Sequence, residues 1–263
     1  MTSLACTLTD SATMLRRSLR HLQRYPSLTL LIAGMPVVFL LLFVYVFGGT
    51  LGAGLGHASG GRAAYASYLA PGIMLMTVAA AAQGTAILVA QDMTEGIIAR
   101  FRTMAIARSS VLTGHVVGSL IQTMLGLAVV TGVALLTGFR PTAGPLGWLA
   151  AAGILLMIAF ALTWLTVALG LAAKSVETAS NTPMFLLLLP FLGSGFVPTA
   201  SMPAGLRWFA EYQPFTAVTE TLRGLLLGTP IGGNAIIAVG WSAGIALLAF
   251  LWAMKLFRRD PVQ

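Results

Sequence analysis

Six runs of apolar residues, each near the length of a bilayer-crossing helix, constrain this chain more than any other feature. An α-helix rises 1.5 Å per residue, so crossing the hydrocarbon takes about 20 predominantly apolar residues. The runs are Leu28–Phe47, Tyr68–Ala90, Val111–Gly138, Leu146–Ala173, Ala179–Val197 and Ile231–Phe257. They predict an all-α integral membrane fold with six transmembrane helices. The third and fourth exceed the minimum length, which tilt or extension beyond the hydrocarbon accommodates. The fifth contains Pro183 and Pro190, so its freed backbone groups need partners within the protein. Five spans plus a re-entrant segment is the alternative count. Barrel strands would alternate polar and apolar residues, and these runs do not. Only 8% of the residues are charged and 57% are hydrophobic, against about 25% charged in a soluble domain. Too little polar surface is available to cover a water-soluble fold of this size.

Cationic residues set the expected orientation. Eleven of the fifteen Lys and Arg residues fall on one side: Arg16, Arg17, Arg20, Arg24, Arg100, Arg102, Arg108, Lys174, Lys255, Arg258 and Arg259. Arg62, Arg140, Arg207 and Arg223 fall on the other. By the positive-inside rule both termini face the cytoplasm. The same asymmetry accounts for the net charge of +8, so no nucleic-acid partner is inferred. The single Cys6 excludes an internal disulfide. The first apolar run starts at Leu28 and is long for a leader, so it reads as a span rather than a cleaved signal.

A search for chemistry returns little. A phosphate-binding loop needs G-x-x-x-x-G-K-[ST]. The nearest sequence, Ala168–Ser175, has Ala168 and Ala173 in place of both glycines. The Gly-rich stretch Gly48–Gly61 reads as a flexible outer loop. His21, His57 and His115 form no ligand-spaced cluster. No catalytic, cofactor-binding or metal-binding residues are assigned, and the chain reads as a transport subunit rather than an enzyme. The central parts of the six runs lack Asp and Glu, which weighs against an ion-coupled pump. Gln83, Gln122 and Thr163 are the polar residues within the runs, read first as helix–helix hydrogen-bonding groups.

Two segments outside the runs carry pattern. In 11–25, Leu15, Leu19 and Leu22 share one helical face, with Arg16, Arg20 and Arg24 on another. That is an amphipathic helix of the headgroup layer, with a cytoplasmic partner as the sharper reading. In Gln91–Ser110, Asp92 and Glu95 are expected to open a helix, where acids suit its positive end. Ile97, Ile98, Phe101 and Met104 then supply an apolar stripe.

The order E-G-x-x-x-R-F-R-T-M-x-I-x-R from Glu95 to Arg108 resembles the cytoplasmic loop of type-2 ATP-binding-cassette (ABC) exporter permeases. The nearest group resembles the daunorubicin/doxorubicin-resistance permeases. Leu69–Met76 is similar to that family's entry to the second span, and Ser109–Ile121 to its entry to the third. Leu186–Gly228 resembles its fifth span and outer segment, through Val197–Pro198, Met202–Pro203, Gln213–Pro214 and Leu222–Arg223. The chain departs from the pattern at Ala99, Ala105 and Gln213.

The resemblance implies a domain plan. Residues 1–27 would form a cytoplasmic N-terminus with a connecting helix (Arg16, Arg17, Leu19, Arg20, Arg24). Residues 28–257 would form the six-span domain, and 258–263 a cytoplasmic tail. Within the domain, 91–110 would be a coupling helix docking on a separate ATPase subunit through Glu95, Gly96, Arg100, Phe101, Arg102 and Arg108. Residues 199–228 would form short outer re-entrant helices gating the exit, with Pro198, Pro203, Glu211, Pro214, Glu220 and Arg223. The resemblance further implies ATP and Mg on the partner subunit only, a second permease copy or related permease, and a bacterial-type plasma membrane. The expected cargo is a hydrophobic or amphipathic compound of drug or antibiotic type. A lipid or glycolipid cargo is the alternative, and an ion-coupled secondary transporter the more distant one.

Overall fold

A computed structural model describes residues 26–54, 61–95 and 108–258. Among them every element is helical. Helix α1 (Pro26–Leu42) continues through a π-helical turn (Phe43–Phe47) into α2 (Gly48–Ala53). Helices α3 (Arg62–Thr94), α4 (Arg108–Thr137) and α5 (Pro145–Ala172) follow. Then come three short pieces: α6 (Val176–Asn181), a 3-10 turn (Thr182–Met184) and α7 (Phe185–Leu188). A 3-10 turn (Thr199–Ser201), α8 (Ala204–Tyr212), α9 (Pro214–Leu227) and α10 (Asn234–Arg258) complete the order.

Five helical stretches are long and apolar enough to cross a membrane: Ile32–Ala53, Arg62–Thr94, Leu112–Thr137, Pro145–Ala172 and Asn234–Phe257. The predicted fifth run, Ala179–Val197, is not one continuous helix. Proline lacks an N–H and its ring clashes with the carbonyl four residues back. Pro183 sits in the 3-10 turn, and the helix stops before Pro190, leaving 189–197 as successive turns. A second expectation is corrected in the Gly-rich stretch. Gly48–Ala53 is helical, not loop. Each Gly in a helix costs about 1 kcal/mol relative to Ala, yet a side chain at Gly52 would place Cβ 2.5 Å from the Gly61 carbonyl oxygen.

The bundle is built around α3 and α5. In their most apolar stretches 72% and 61% of residues are buried, against 17% in α10. Large apolar side chains on the outside, such as Leu136, Leu146, Ile236 and Leu248, are exposed, as suits a helix bundle whose solvent is lipid. Small residues let α3 and α5 approach: a Cβ on Gly170 would fall 2.7 Å from the Ala86 carbonyl oxygen. Gly170 belongs to the stretch that superficially matches a phosphate loop, and here it is a packing residue. Ser175 of the same stretch caps α6, its Oγ accepting from Thr178 N at 3.2 Å.

Hydroxyls tie the centre together. Thr85 Oγ1 on α3 donates to Ser119 Oγ on α4 at 2.7 Å, and Thr163 Oγ1 on α5 lies 3.4 Å from that same oxygen. Such bonds substitute for the hydrophobic driving force that lipid does not supply. Gln122 is buried on α4.

Candidate functional site

The feature that departs most from a plain bundle is the broken stretch 176–198. Its carbonyls cannot be satisfied by regular helix, and lipid offers no substitute. Side chains from α3 and α9 take that role. Gln83 Nε2 donates to the Ser180 carbonyl at 2.8 Å. Gln213 Nε2 donates to the Leu189 carbonyl at 3.0 Å. Tyr65 Oη reaches the Phe196 carbonyl at 3.2 Å, and Tyr68 Oη the Ser194 carbonyl at 2.9 Å. In the other direction, Ser194 N donates to Thr216 Oγ1 at 3.3 Å.

Arg223 is the centre of this arrangement. It is only 6% exposed. Its Nη2 donates to the Ser194 carbonyl at 2.9 Å and to the Tyr68 carbonyl at 3.2 Å. Its Nη1 meets Glu220 Oε1 at 2.6 Å, and the guanidinium carbon lies 3.9 Å from the centroid of the Tyr68 ring. One planar cation thus joins α9, α3 and the broken stretch. Guanidinium suits this role because its donors are held in a fixed fork and its flat face stacks on aromatics. The network is not saturated among the described residues: Arg223 Nε, Ser194 Oγ and Gln213 Oε1 are buried with no hydrogen-bond partner.

Apolar contacts close the same region. Phe191 and Phe196 stack with ring centroids 4.1 Å apart, and Phe43 of the π-helical turn meets the Phe196 ring edge-on at 5.0 Å. Where α3 passes the broken stretch, Gly72 and Gly195 bring backbone against backbone. Helix α9 ends at Gly228, whose φ of +75° is the left-handed geometry that glycine adopts without strain.

The residues expected to gate the exit divide. Glu220 and Arg223 belong to this network, and Pro214 begins α9. Pro198 and Pro203 flank the 3-10 turn Thr199–Ser201, accepting from Ser201 Oγ at 2.7 Å and Arg207 N at 2.8 Å. Glu211 pairs with Arg207 at 2.7 Å on the exposed helix α8, apart from Arg223. Tyr65, Tyr68, Gln213 and Thr216 were not singled out by sequence as site residues. The signal that points to them is the pair of prolines, which announces carbonyls in need of donors.

At the other end of α3, Glu95 is exposed and its N–H closes the helix on the Gln91 carbonyl at 2.9 Å. Helix α3 runs to Thr94 with Glu95 as its C-cap, so Asp92 lies in the last turn of α3 rather than at the start of a new helix; a helix following Glu95 would lie outside the described residues. The apolar run simply continues through Met93 before it ends. Asp92 Oδ2 lies 3.1 Å from His115 Nε2 on α4. Arg108 begins α4. Gly96, Arg100, Phe101 and Arg102, and the connecting-helix residues Arg16, Arg17, Leu19, Arg20 and Arg24, lie outside the described residues, as do Cys6, His21 and His57. Among the described residues no group of three His, Cys, Asp or Glu could hold a metal ion.

Comparison with known proteins matches this sequence to a family. The ABC-2 type transporter family model matches residues 10–227. The chain is 28% identical over 255 residues to the daunorubicin resistance ABC transporter permease protein DrrB1 of Streptomyces coeruleorubidus, covering 97% of this chain and 88% of that one. It is also 28% identical over 182 residues to the probable doxorubicin resistance ABC transporter permease protein DrrC of Mycobacterium tuberculosis, covering 67% of this chain and 65% of that one. With several apolar helices and a family match across most of its length, this multi-pass membrane protein belongs to the ABC-2 type transporter family.

Proposed function

We propose that the chain is the membrane subunit of an ABC exporter that moves a hydrophobic or amphipathic, drug-like compound outward, driven by ATP hydrolysis on a separate subunit. The observation that carries this reading is the similarity to a daunorubicin resistance permease across 97% of the chain. In this reading the broken stretch completes a sixth crossing, and α8 and α9 are the re-entrant helices of the outer leaflet. Both termini and the 96–107 loop face the cytoplasm, following the eleven-to-four cation asymmetry. The loop docks on the ATPase, where ATP and Mg are held. A second permease copy or a related permease completes the membrane part. The Arg223 network is the closed outer gate. Its buried and incompletely paired groups give it alternative partners to move to, as a two-state element requires.

The test is purification of the tagged chain from native membranes in mild detergent. A stoichiometric partner carrying G-x-x-x-x-G-K-[ST] is expected. Reconstituted together, the two should drive ATP-dependent accumulation of daunorubicin, used as the probe, in inverted vesicles. Absence of any ATPase in a preparation that keeps other membrane complexes intact rejects the reading. Transport that follows an ion gradient after ATP depletion rejects it in favour of a secondary transporter.

A further inference from the structure

We propose that Asp92 and His115 are positioning residues that tie the two roots of the 96–107 loop, so that α3 and α4 move as one body when the loop is pushed. The proposal rests on reading that loop as the ATPase contact.

The chain leaves α3 at Thr94 and enters α4 at Arg108. Asp92 lies in the last turn of α3 and His115 two turns into α4. Their contact of 3.1 Å spans the two helices at the base of the loop, with side chains only 12% and 15% exposed. Immediately beside it lies a separate apolar cluster. Val89 of α3, Leu112 and Val116 of α4, Trp164 of α5, and Ala253 and Phe257 of α10 are all buried there. A displacement of the loop roots therefore bears on four helices through one packed plate. Packed interiors shift as units rather than deform continuously.

The choice of residue is informative. A carboxylate in the last turn of a helix faces the negative end of the macrodipole and destabilises that helix. Asp92 thus works against α3 taken alone. An apolar pair such as Val89 and Leu112, one turn away, would hold the helices without this cost. Asp92 Oδ2 and His115 Nε2 stand 3.1 Å apart without hydrogen-bond geometry, so the contact adds a close polar link between the two roots to the apolar packing beside it.

The test uses the complete complex with its ATPase subunit in nanodiscs. Cys6 is the only cysteine, so a Cys6→Ser background with a bimane on Ala204→Cys reports movement at the start of α8, without need of a cargo. Asp92→Asn and His115→Ala are expected to keep ATPase binding and basal ATP hydrolysis. The ATP-driven bimane change should fall by roughly two- to thirtyfold, the span of coupling effects for residues lying between two sites. The double variant should be no worse than either single one, and His115→Lys, which places an ammonium opposite Asp92, should recover most of the signal. An undiminished bimane change in both single variants overturns the tie. So does a His115→Lys variant as impaired as His115→Ala, or loss of folded protein in both single variants, which would make the contact a stabilising one only. If the otherwise unaltered complex shows no ATP-driven change, or binds no ATPase, it is the loop reading that fails.

Discussion

Gly72 of α3 faces Gly195 of the broken stretch so closely that a methyl group on Gly72 would sit 2.5 Å from the Gly195 carbonyl oxygen. The nearest atoms there, the Gly195 O, C and Cα, are all backbone and cannot swing aside. Gly72→Ala should therefore push the stretch off α3 and disturb the stacked Phe191–Phe196 pair with it. Overpacking of this kind costs about 1–3 kcal/mol. The midpoint of thermal unfolding in detergent should fall, whereas Gly153→Ala, inside α5 with open space around it, should hold or raise it because Ala is the better helix former.

Arg223 and Glu220 should not be equivalent. The Arg223 side chain is 7% exposed and that of Glu220 is 31% exposed. Arg223→Met removes a donor from the Tyr68 and Ser194 carbonyls, the latter keeping Tyr68 Oη, and the cation from Glu220; breaking a buried ionic pair costs about 3–5 kcal/mol. Arg223→Lys keeps the charge but loses the fork that serves Tyr68 and Ser194 together, so it should rescue only in part. Glu220→Gln, partly open to solvent, should be the mildest of the three. Folded yield by size-exclusion chromatography ranks them, and an Arg223→Lys variant matching the unaltered protein would show that charge alone matters.

Removing a side-chain donor from the broken stretch exposes a carbonyl to an apolar environment, at about 1–3 kcal/mol per site. Gln83→Leu and Gln213→Leu should each show this loss. Gln213→Asn, one methylene shorter, should fall short of the Leu189 carbonyl and resemble Gln213→Leu. Hydrogen–deuterium exchange of 180–196 is the measurement: faster exchange is expected there, with α10 unaffected.

Charge reversal at Glu95 together with Arg102 tests the docking loop. Membrane insertion and monodispersity should be retained while the ATPase subunit no longer co-purifies. Unchanged co-purification would remove the loop from the interface.

How far the sequence carries this structure depends on which physical signal each part uses. The four uninterrupted apolar runs outside the first and fifth were legible because length and hydropathy alone decide them. Pattern places the first but ends it short, because the glycines of Gly48 to Ala53 weaken the apolar signal of a segment that is helical where Gly52 packs on Gly61. The two prolines correctly marked the fifth run as irregular, and the demand for internal hydrogen-bond partners followed from them. Which residues answer that demand was not legible. Tyr65 and Phe196 are 131 positions apart, and Arg223 and Tyr68 are 155 apart. Local pattern carries no information over such separations. Asp92 escapes local pattern for a related reason: acids at a helix end suggest a start, and its place at the finish goes with a tertiary contact, to His115, that pattern does not carry.

The irregular course of 176–198 is held by side chains that lie elsewhere in the chain. Its own prolines break the helix, but the path it then takes is fixed by Tyr65, Tyr68, Gln83, Gln213 and Arg223. The stretch is thus not a portable module. A chimera that grafts it between permeases must carry matching faces of α3 and α9, or the graft arrives as a proline-broken apolar run whose open carbonyls find no donors.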